Sequence, residues 1–156
     1  MLSLRLDAQG AAKGLQAIGG RYGGRMKDLT PATKDMGERM RFSIEENFRQ
    51  SGRPTRWKPW AFSTALRRAY DKEGKPAGRL GGVLVRKGIL KNSITYVADS
   101  SGLTVGTNII YGRIHQLGGM AGRGRKVPIP ARPFLVGQES DLEYFQQRIL
   151  EHVSGA

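Results

Sequence analysis

The sequence predicts an α+β fold, in which a small antiparallel sheet is packed by a long helix and a C-terminal helix and carries extended basic loops. Three observations predict it: period-2 alternation at the N-terminus, a β-hairpin pattern over residues 93–107, and helical spacing of apolar residues over 30–48 and 142–153. With 156 residues the chain fits one domain, so residues 1–156 are expected to share one hydrophobic core.

The N-terminal segment predicts an edge strand followed by a weak helix. Leu2, Leu4 and Leu6 alternate with polar residues, as in a half-buried strand. From Ala11 onwards apolar residues recur at helical spacing. Each glycine in this segment, however, costs up to about 1 kcal/mol relative to alanine in a helix. The helix therefore needs tertiary packing, and its apolar residues are Leu15, Ile18, Tyr22 and Met26.

The long helix is predicted to start at Thr30 and to run to about Phe48. A threonine followed by proline favours a helix start, because the hydroxyl can cap free backbone N–H groups and proline lacks an N–H to lose. Every fourth residue after this start is apolar, which predicts the principal core helix. These residues are Ala32, Met36, Met40, Ile44 and Phe48.

Two tryptophans follow the long helix among basic residues. Trp57 and Trp60 either cover the end of the core with their N–H groups bonded locally, or form an aromatic and cationic surface for another subunit. Both interpretations stay open at this point. A short helix is predicted next, over residues 62–70.

The second half of the chain predicts a hairpin and a closing helix. Two alternating segments, 93–97 and 103–107, flank turn residues and predict the hairpin. Ser140 and Glu143 have capping-box spacing and predict the start of the last helix. Its predicted apolar face consists of Leu142, Phe145, Ile149 and Val153.

The positive charge is concentrated in the middle of the chain. Residues 49–132 carry 17 basic and 3 acidic side chains, whereas residues 133–156 carry 1 and 4. This distribution favours a polyanion or an acidic protein surface as a partner, against the simpler interpretation that the charge keeps the protein soluble. Segments 71–82 and 118–130 are predicted as flexible basic loops, and the first of them is interpreted as an arm that orders on assembly.

Composition excludes several classes of function. The absence of cysteine excludes disulfides, thiol nucleophiles and thiolate zinc sites, and two histidines make a histidine-rich metal site unexpected. A Walker-type phosphate loop is absent. We therefore expect no cofactor and no metal. Neither a membrane-spanning run nor a signal-peptide pattern occurs, so a soluble protein made in the cytoplasm, with no membrane partner, is expected.

One stretch, residues 108–134, carries a more specific pattern. It reads Tyr-x-x-x-His-Gln-x-Gly-Gly, then a variable basic loop, then Ile-Pro-Ala-Arg-Pro-Phe. This pattern resembles the virion morphogenesis or tail completion proteins of Mu-like contractile-tailed phages and prophages. The matching residues are Tyr111, His115, Gln116, Gly118, Gly119, Ala131, Arg132, Pro133 and Phe134.

The resemblance implies a small α+β structural protein without catalysis. Its members complete the tail so that it joins a filled head, which implies a homo-oligomeric ring, with a hexamer as the expected form. The implied partners are further copies of the chain, the tail tube protein and the head-tail connector or neck proteins. The implied location is the tail or neck of the virion, after synthesis in the cytoplasm of the bacterial host.

Two alternatives remain beside this resemblance. A sequence-nonspecific nucleic-acid-binding protein would use the central basic charge, with aromatic residues stacking on bases. An enzyme would use Tyr111 and His115 as an acid/base pair with Arg132 as an anion clamp, although packing is the commoner role of such a pair. In a ring, packaged DNA would meet basic residues that line the lumen, and the candidates are Arg86, Lys87, Arg123, Arg125 and Lys126.

Overall fold

The computed structural model of the chain describes residues 2–7, 28–70, 73–77 and 81–155. The helix predicted from Ala11 lies outside these residues. The strands are β1 (Leu2–Asp7), β2 (Thr95–Ala98), β3 (Gly102–Thr107), β4 (Gly119–Ala121) and β5 (Val127–Ile129). The α-helices are α1 (Thr30–Arg49), α2 (Phe62–Ala69), α3 (Ile89–Asn92), α4 (Gly112–Leu117) and α5 (Glu139–Ser154), and a single 3-10 turn spans Arg123–Arg125.

The main sheet is antiparallel, with β3 between β1 and β2. Val105 on the central strand pairs with Leu4 on one side and with Tyr96 on the other. Leu103 and Val105 are fully buried, because their side chains point towards the helical layer. The predicted combination of an N-terminal strand with a hairpin is therefore confirmed, and so is the α+β class.

Helix α1 covers this sheet as predicted. Its apolar residues at every fourth position, from Ala32 to Phe48, are all buried. The helix lies very close to the sheet at Gly37, where a Cβ atom would lie only 2.4 Å from the ring of Tyr96. Glycine at this position thus sets the distance between the two layers.

The predicted capping of α1 by Thr30 is wrong. Leu29 holds the N-cap position and makes no side-chain cap hydrogen bond. The Thr30 N–H instead donates to the Asp28 carboxylate at 3.0 Å. Thr30 lies inside the first turn, and its free N–H is satisfied by a side chain two residues upstream.

Helix α5 also starts differently from the prediction. Its capping box is formed by Gln138 and Asp141 rather than by Ser140 and Glu143. Asp141 is 1% exposed, whereas Leu142, which was predicted to face the core, is 53% exposed. The reason is that α1 binds the carboxylate of Asp141, and this fixes the rotation of the helix start.

A buried polar network joins the two long helices. The Asp141 carboxylate accepts hydrogen bonds from the Arg39 Nε at 2.8 Å and from the Ser43 hydroxyl at 2.5 Å. Arg53 donates to the Ser43 hydroxyl at 2.8 Å and to the Asn47 side-chain oxygen at 2.9 Å. These five residues, Arg39, Ser43, Asn47, Arg53 and Asp141, are called the polar network below.

The segments predicted as basic loops contain some regular structure. Within 118–130, strands β4 and β5 pair as an antiparallel hairpin around the 3-10 turn. Within 71–82, the Ala77 N–H donates to the Ala69 carbonyl at 2.7 Å, which folds the described part of this segment back towards α2. The flexibility of both segments stays a prediction. In the described part of the chain, no helix is long and apolar enough to span a membrane.

Candidate functional site

Helix α4 carries the first half of the motif and packs it against the second half. The helix ends at Gly118, whose φ of 75° favours glycine. A Cβ atom at Gly118 would lie 2.9 Å from the backbone nitrogen of Ala131. The two halves of the motif therefore meet backbone to backbone, and only glycine fits between them. Gly119 follows with a φ of 151° and starts β4.

Gln116 holds the second half in place. Its Oε1 accepts hydrogen bonds from the backbone N–H groups of Phe134 at 2.9 Å and Leu135 at 3.0 Å, and its Nε2 donates to the Leu135 carbonyl at 3.4 Å. The Arg132 N–H adds a bond to the His115 carbonyl at 2.7 Å. The Gln116 side chain thus supplies the hydrogen-bond partners that the extended backbone at Phe134 and Leu135 would otherwise lack.

Gln116→Leu is expected to lower the free energy of unfolding by about 2 kcal/mol. The substitution leaves two backbone N–H groups without an acceptor where little water reaches them. Urea unfolding followed by circular dichroism would measure the change. Gln116→Glu is the control, because it retains an oxygen that accepts from both groups. An equal loss in both variants would show that these two bonds do not stabilise the segment.

Tyr111 and His115 form a packing pair. Their rings meet edge to face with centroids 5.9 Å apart, and Tyr111 is 44% exposed. Burial lowers the pKa of His115, and the nearby positive charge of Arg132 lowers that pKa further. The Nδ1 of His115 is buried and has no hydrogen-bond partner among the described residues.

The lowered pKa of His115 predicts a loss of stability in mild acid. Because the folded chain binds this proton less readily than the unfolded chain, the free energy of unfolding decreases as pH falls below the ordinary value of 6.5. Urea unfolding between about pH 5.5 and 7.5 tests this in the wild type and in His115→Gln. The decrease should be smaller in the variant, and identical pH profiles would contradict the prediction.

Arg132 and Phe134 point inwards from the second half of the motif. Arg132 is 7% exposed, and its guanidinium donates to the carbonyls of Lys58 at 2.9 Å and Pro59 at 3.0 Å. Phe134 is fully buried beside Phe48, with ring centroids 5.4 Å apart. Pro133, which lies between them, and Ala131, which precedes Arg132, are exposed. The motif thus anchors the segment between the two tryptophans as well as its own loop.

The two tryptophans lie in different environments. Trp57 is 6% exposed, packs against Phe48 and donates its N–H to the Pro133 carbonyl at 2.9 Å. Trp57 therefore covers the end of the core, with its N–H bonded within the chain. Trp60 is half-buried, and the guanidinium of Arg68 lies 4.1 Å from its ring centroid. A role of Trp60 in a subunit interface stays a prediction.

An open cleft of about 620 Å³ lies beside the motif. It is bordered by α2, by residues 84–90, by the motif and by β5. Among the described residues that line it, four side chains are cationic and none is acidic. We call it the basic cleft, and its cations are Arg68, Arg86, Lys87 and Arg132.

The five cations predicted to face DNA or a lumen lie in two places. Arg86 and Lys87 are exposed in the basic cleft. Arg123, Arg125 and Lys126 are exposed at the tip of the β4–β5 hairpin, outside that cleft. The five cations are therefore divided between the basic cleft and the hairpin tip.

Sequence reasoning missed several residues of this region. Arg68, Leu84 and Ile89 line the basic cleft although no motif contains them. The polar network was missed as well, and its best signal was Asn47, a polar residue one position before the last core residue of α1. Within the described residues, no group of three or more histidine, cysteine, aspartate or glutamate side chains is arranged to hold a metal ion.

Comparison with known proteins yields one family and one curated relative. Residues 6–154 match the model of the phage virion morphogenesis family. Mu-like prophage FluMu G protein 2 of Haemophilus influenzae is 38% identical over 124 residues, which cover 74% of this chain and 78% of the relative. No solved structure matches the chain significantly.

Proposed function

Because the chain belongs to the phage virion morphogenesis family, we propose that it is a structural protein that completes the phage tail as a homo-oligomeric ring at the head-tail junction. Family membership gives it a role in building a phage particle. The proposal goes further in three respects. It gives the protein a ring, expected as a hexamer, a place in the tail or neck, and contacts with tail tube and connector proteins.

The observation that supports this proposal is the set of contacts that the motif side chains make. Gln116, Arg132 and Phe134 bond or pack within the chain. Of the motif residues, Tyr111, His115 and Arg132 line the open cleft. Tyr111 and His115 pack edge to face. A motif used in this way shapes a surface, which suits a protein that assembles better than one that performs a reaction. We propose no catalytic activity.

Native mass spectrometry of the purified protein, alone and with isolated tail tubes, tests the proposal. We expect one defined oligomer and its attachment to one end of the tube, which negative-stain microscopy would locate. A protein that stays monomeric under both conditions and binds neither end of the tube would refute the proposal.

The second candidate is nonspecific binding of nucleic acid, and the hairpin tip favours it. Arg123, Arg125 and Lys126 are exposed there, and none of them makes an ion pair with a described residue. Fluorescence anisotropy with duplex DNA at several salt concentrations tests it, because each phosphate contact steepens the decrease of affinity with salt. A steep decrease for the monomer, removed by changing all three residues to glutamine, would support this candidate.

A further inference from the structure

The basic cleft contains positive charge that no described carboxylate neutralises. Every ion pair between described residues involves other side chains, so Arg68, Arg86, Lys87 and Arg132 have no carboxylate partner there. Arg132 is almost fully buried, and within the described part of the chain only backbone carbonyls accept its side-chain hydrogen bonds. A buried cation without a counter-charge is costly, so the cleft would gain from a carboxylate.

Further polar groups of the cleft lack partners. The Nε of Arg68 and the Nδ1 of His115 are buried and make no hydrogen bond within the described part of the chain. Burial lowers the pKa of Arg68, and repulsion by Arg86 lowers that pKa further. The same cleft has apolar walls, which include Leu84, Ile89 and Val127. It therefore suits a segment that brings carboxylates and apolar side chains together.

Helix α5 presents a surface of this composition. Glu139, Leu142, Glu143, Gln146 and Leu150 follow helical spacing on one face and are all exposed. We call this face the acidic strip. It extends about 18 Å along the helix. Leu142 and Leu150 are 53% and 51% exposed, and neither Glu139 nor Glu143 makes an ion pair with a described residue.

We infer that the acidic strip of one copy docks in the basic cleft of a second copy, with its leucines against the apolar wall and its glutamates on the cleft arginines and lysine. This inference rests on the proposed ring function and gives that ring its contact. No residue of α5 lines the cleft, so the strip lies on a separate surface of the same subunit. Two different surfaces that bind each other form a head-to-tail contact, and such a contact closes into a ring by rotation.

A second copy fits the cleft better than DNA does. A duplex is about 20 Å wide, whereas a cleft of about 620 Å³ holds only a few side chains. Phosphate contacts need no apolar wall, but this cleft has one beside its cations. The hairpin tip, where Arg123, Arg125 and Lys126 are exposed, is the better surface for a polyanion.

Paired charge reversals test the inference. The cleft variant is Arg86→Glu with Lys87→Glu, and the strip variant is Glu139→Lys with Glu143→Lys. The control is Arg67→Glu with Arg113→Glu, which reverses two exposed arginines that do not line the cleft. Analytical ultracentrifugation should show self-association about tenfold weaker or more in the cleft and strip variants, and unchanged in the control.

Mixing the two variants gives the sharper result. Each cleft variant still carries an intact strip, and each strip variant an intact cleft, so an equimolar mixture should form complexes that contain both variants, the smallest of which is a heterodimer. Native mass spectrometry resolves this species by its mass. The heterodimer also shows that both variants are folded, since each must supply one intact surface.

Several outcomes would overturn the inference. They are a cleft variant that assembles like the wild type, a mixture without any complex of the two variants, and a cleft variant that keeps its oligomer but loses tail tube or DNA binding. In these cases the proposed function survives with a different contact. If the wild type itself forms no oligomer, alone or with tail tubes, the ring proposal fails as well.

Discussion

Replacing Phe134 with alanine is expected to lower the free energy of unfolding by about 3 to 5 kcal/mol. The ring is fully buried and packs beside Phe48, which in turn contacts Trp57 edge to face. Truncation leaves a cavity where α1, the tryptophan segment and the motif meet. Urea unfolding followed by tryptophan fluorescence would measure the loss, because Trp57 lies next to the site.

Phe62 provides the matched control for this substitution. It is 82% exposed on α2, and Phe62→Ala removes the same atoms without making a cavity. We expect a change within about 0.5 kcal/mol. Comparable losses in the two variants would show that the ring of Phe134 is not a principal contact of the core.

Asp141→Ala should produce the second large effect, a loss of about 3 kcal/mol. The carboxylate is 1% exposed and accepts from Arg39, Ser43 and the Gln138 N–H, so its removal leaves three donors without their acceptor. The change also removes one half of the capping box of α5. Thermal and urea unfolding would both report it.

Glu143→Ala tests whether this loss comes from the polar network. Glu143 lies on the same helix, is exposed and makes no ion pair with a described residue. At a protein concentration where the chain is monomeric, its replacement should change the free energy of unfolding by no more than about 0.5 kcal/mol. A loss below about 1 kcal/mol in Asp141→Ala would mean that the network adds little to stability.

The elements of the fold were predictable because their patterns are local. Alternation at Leu2 and Leu4 and four-residue spacing from Ala32 to Phe48 each reflect a side chain that faces one hydrophobic layer. Helix ends were less predictable. Asp141 replaced Ser140 and Glu143 in setting the start of α5, because the deciding contacts come from α1, which is far away in sequence.

The candidate site was predictable in part. The motif identified Gln116, Arg132 and Phe134, but composition alone did not indicate that all three point into the chain. The basic cleft was not predictable as a cleft. Arg68, on α2, and Arg86, in the segment that follows, come together only through the tertiary fold. The central excess of positive charge was visible in the sequence, whereas its division between a cleft and a hairpin tip was not.

The long-range contacts of α1 also constrain when a newly made subunit can fold. Asn47 and Arg39 bond to groups that lie 87 and 102 residues later in the chain. A nascent chain that has emerged only as far as the β2–β3 hairpin lacks Phe134 and Asp141. Helix α1 then has neither the buried ring of Phe134 nor the carboxylate of Asp141 to contact. Folding therefore completes only after the last segment leaves the ribosome. A partly synthesised chain of this kind also lacks the acidic strip, because all of its residues lie in α5.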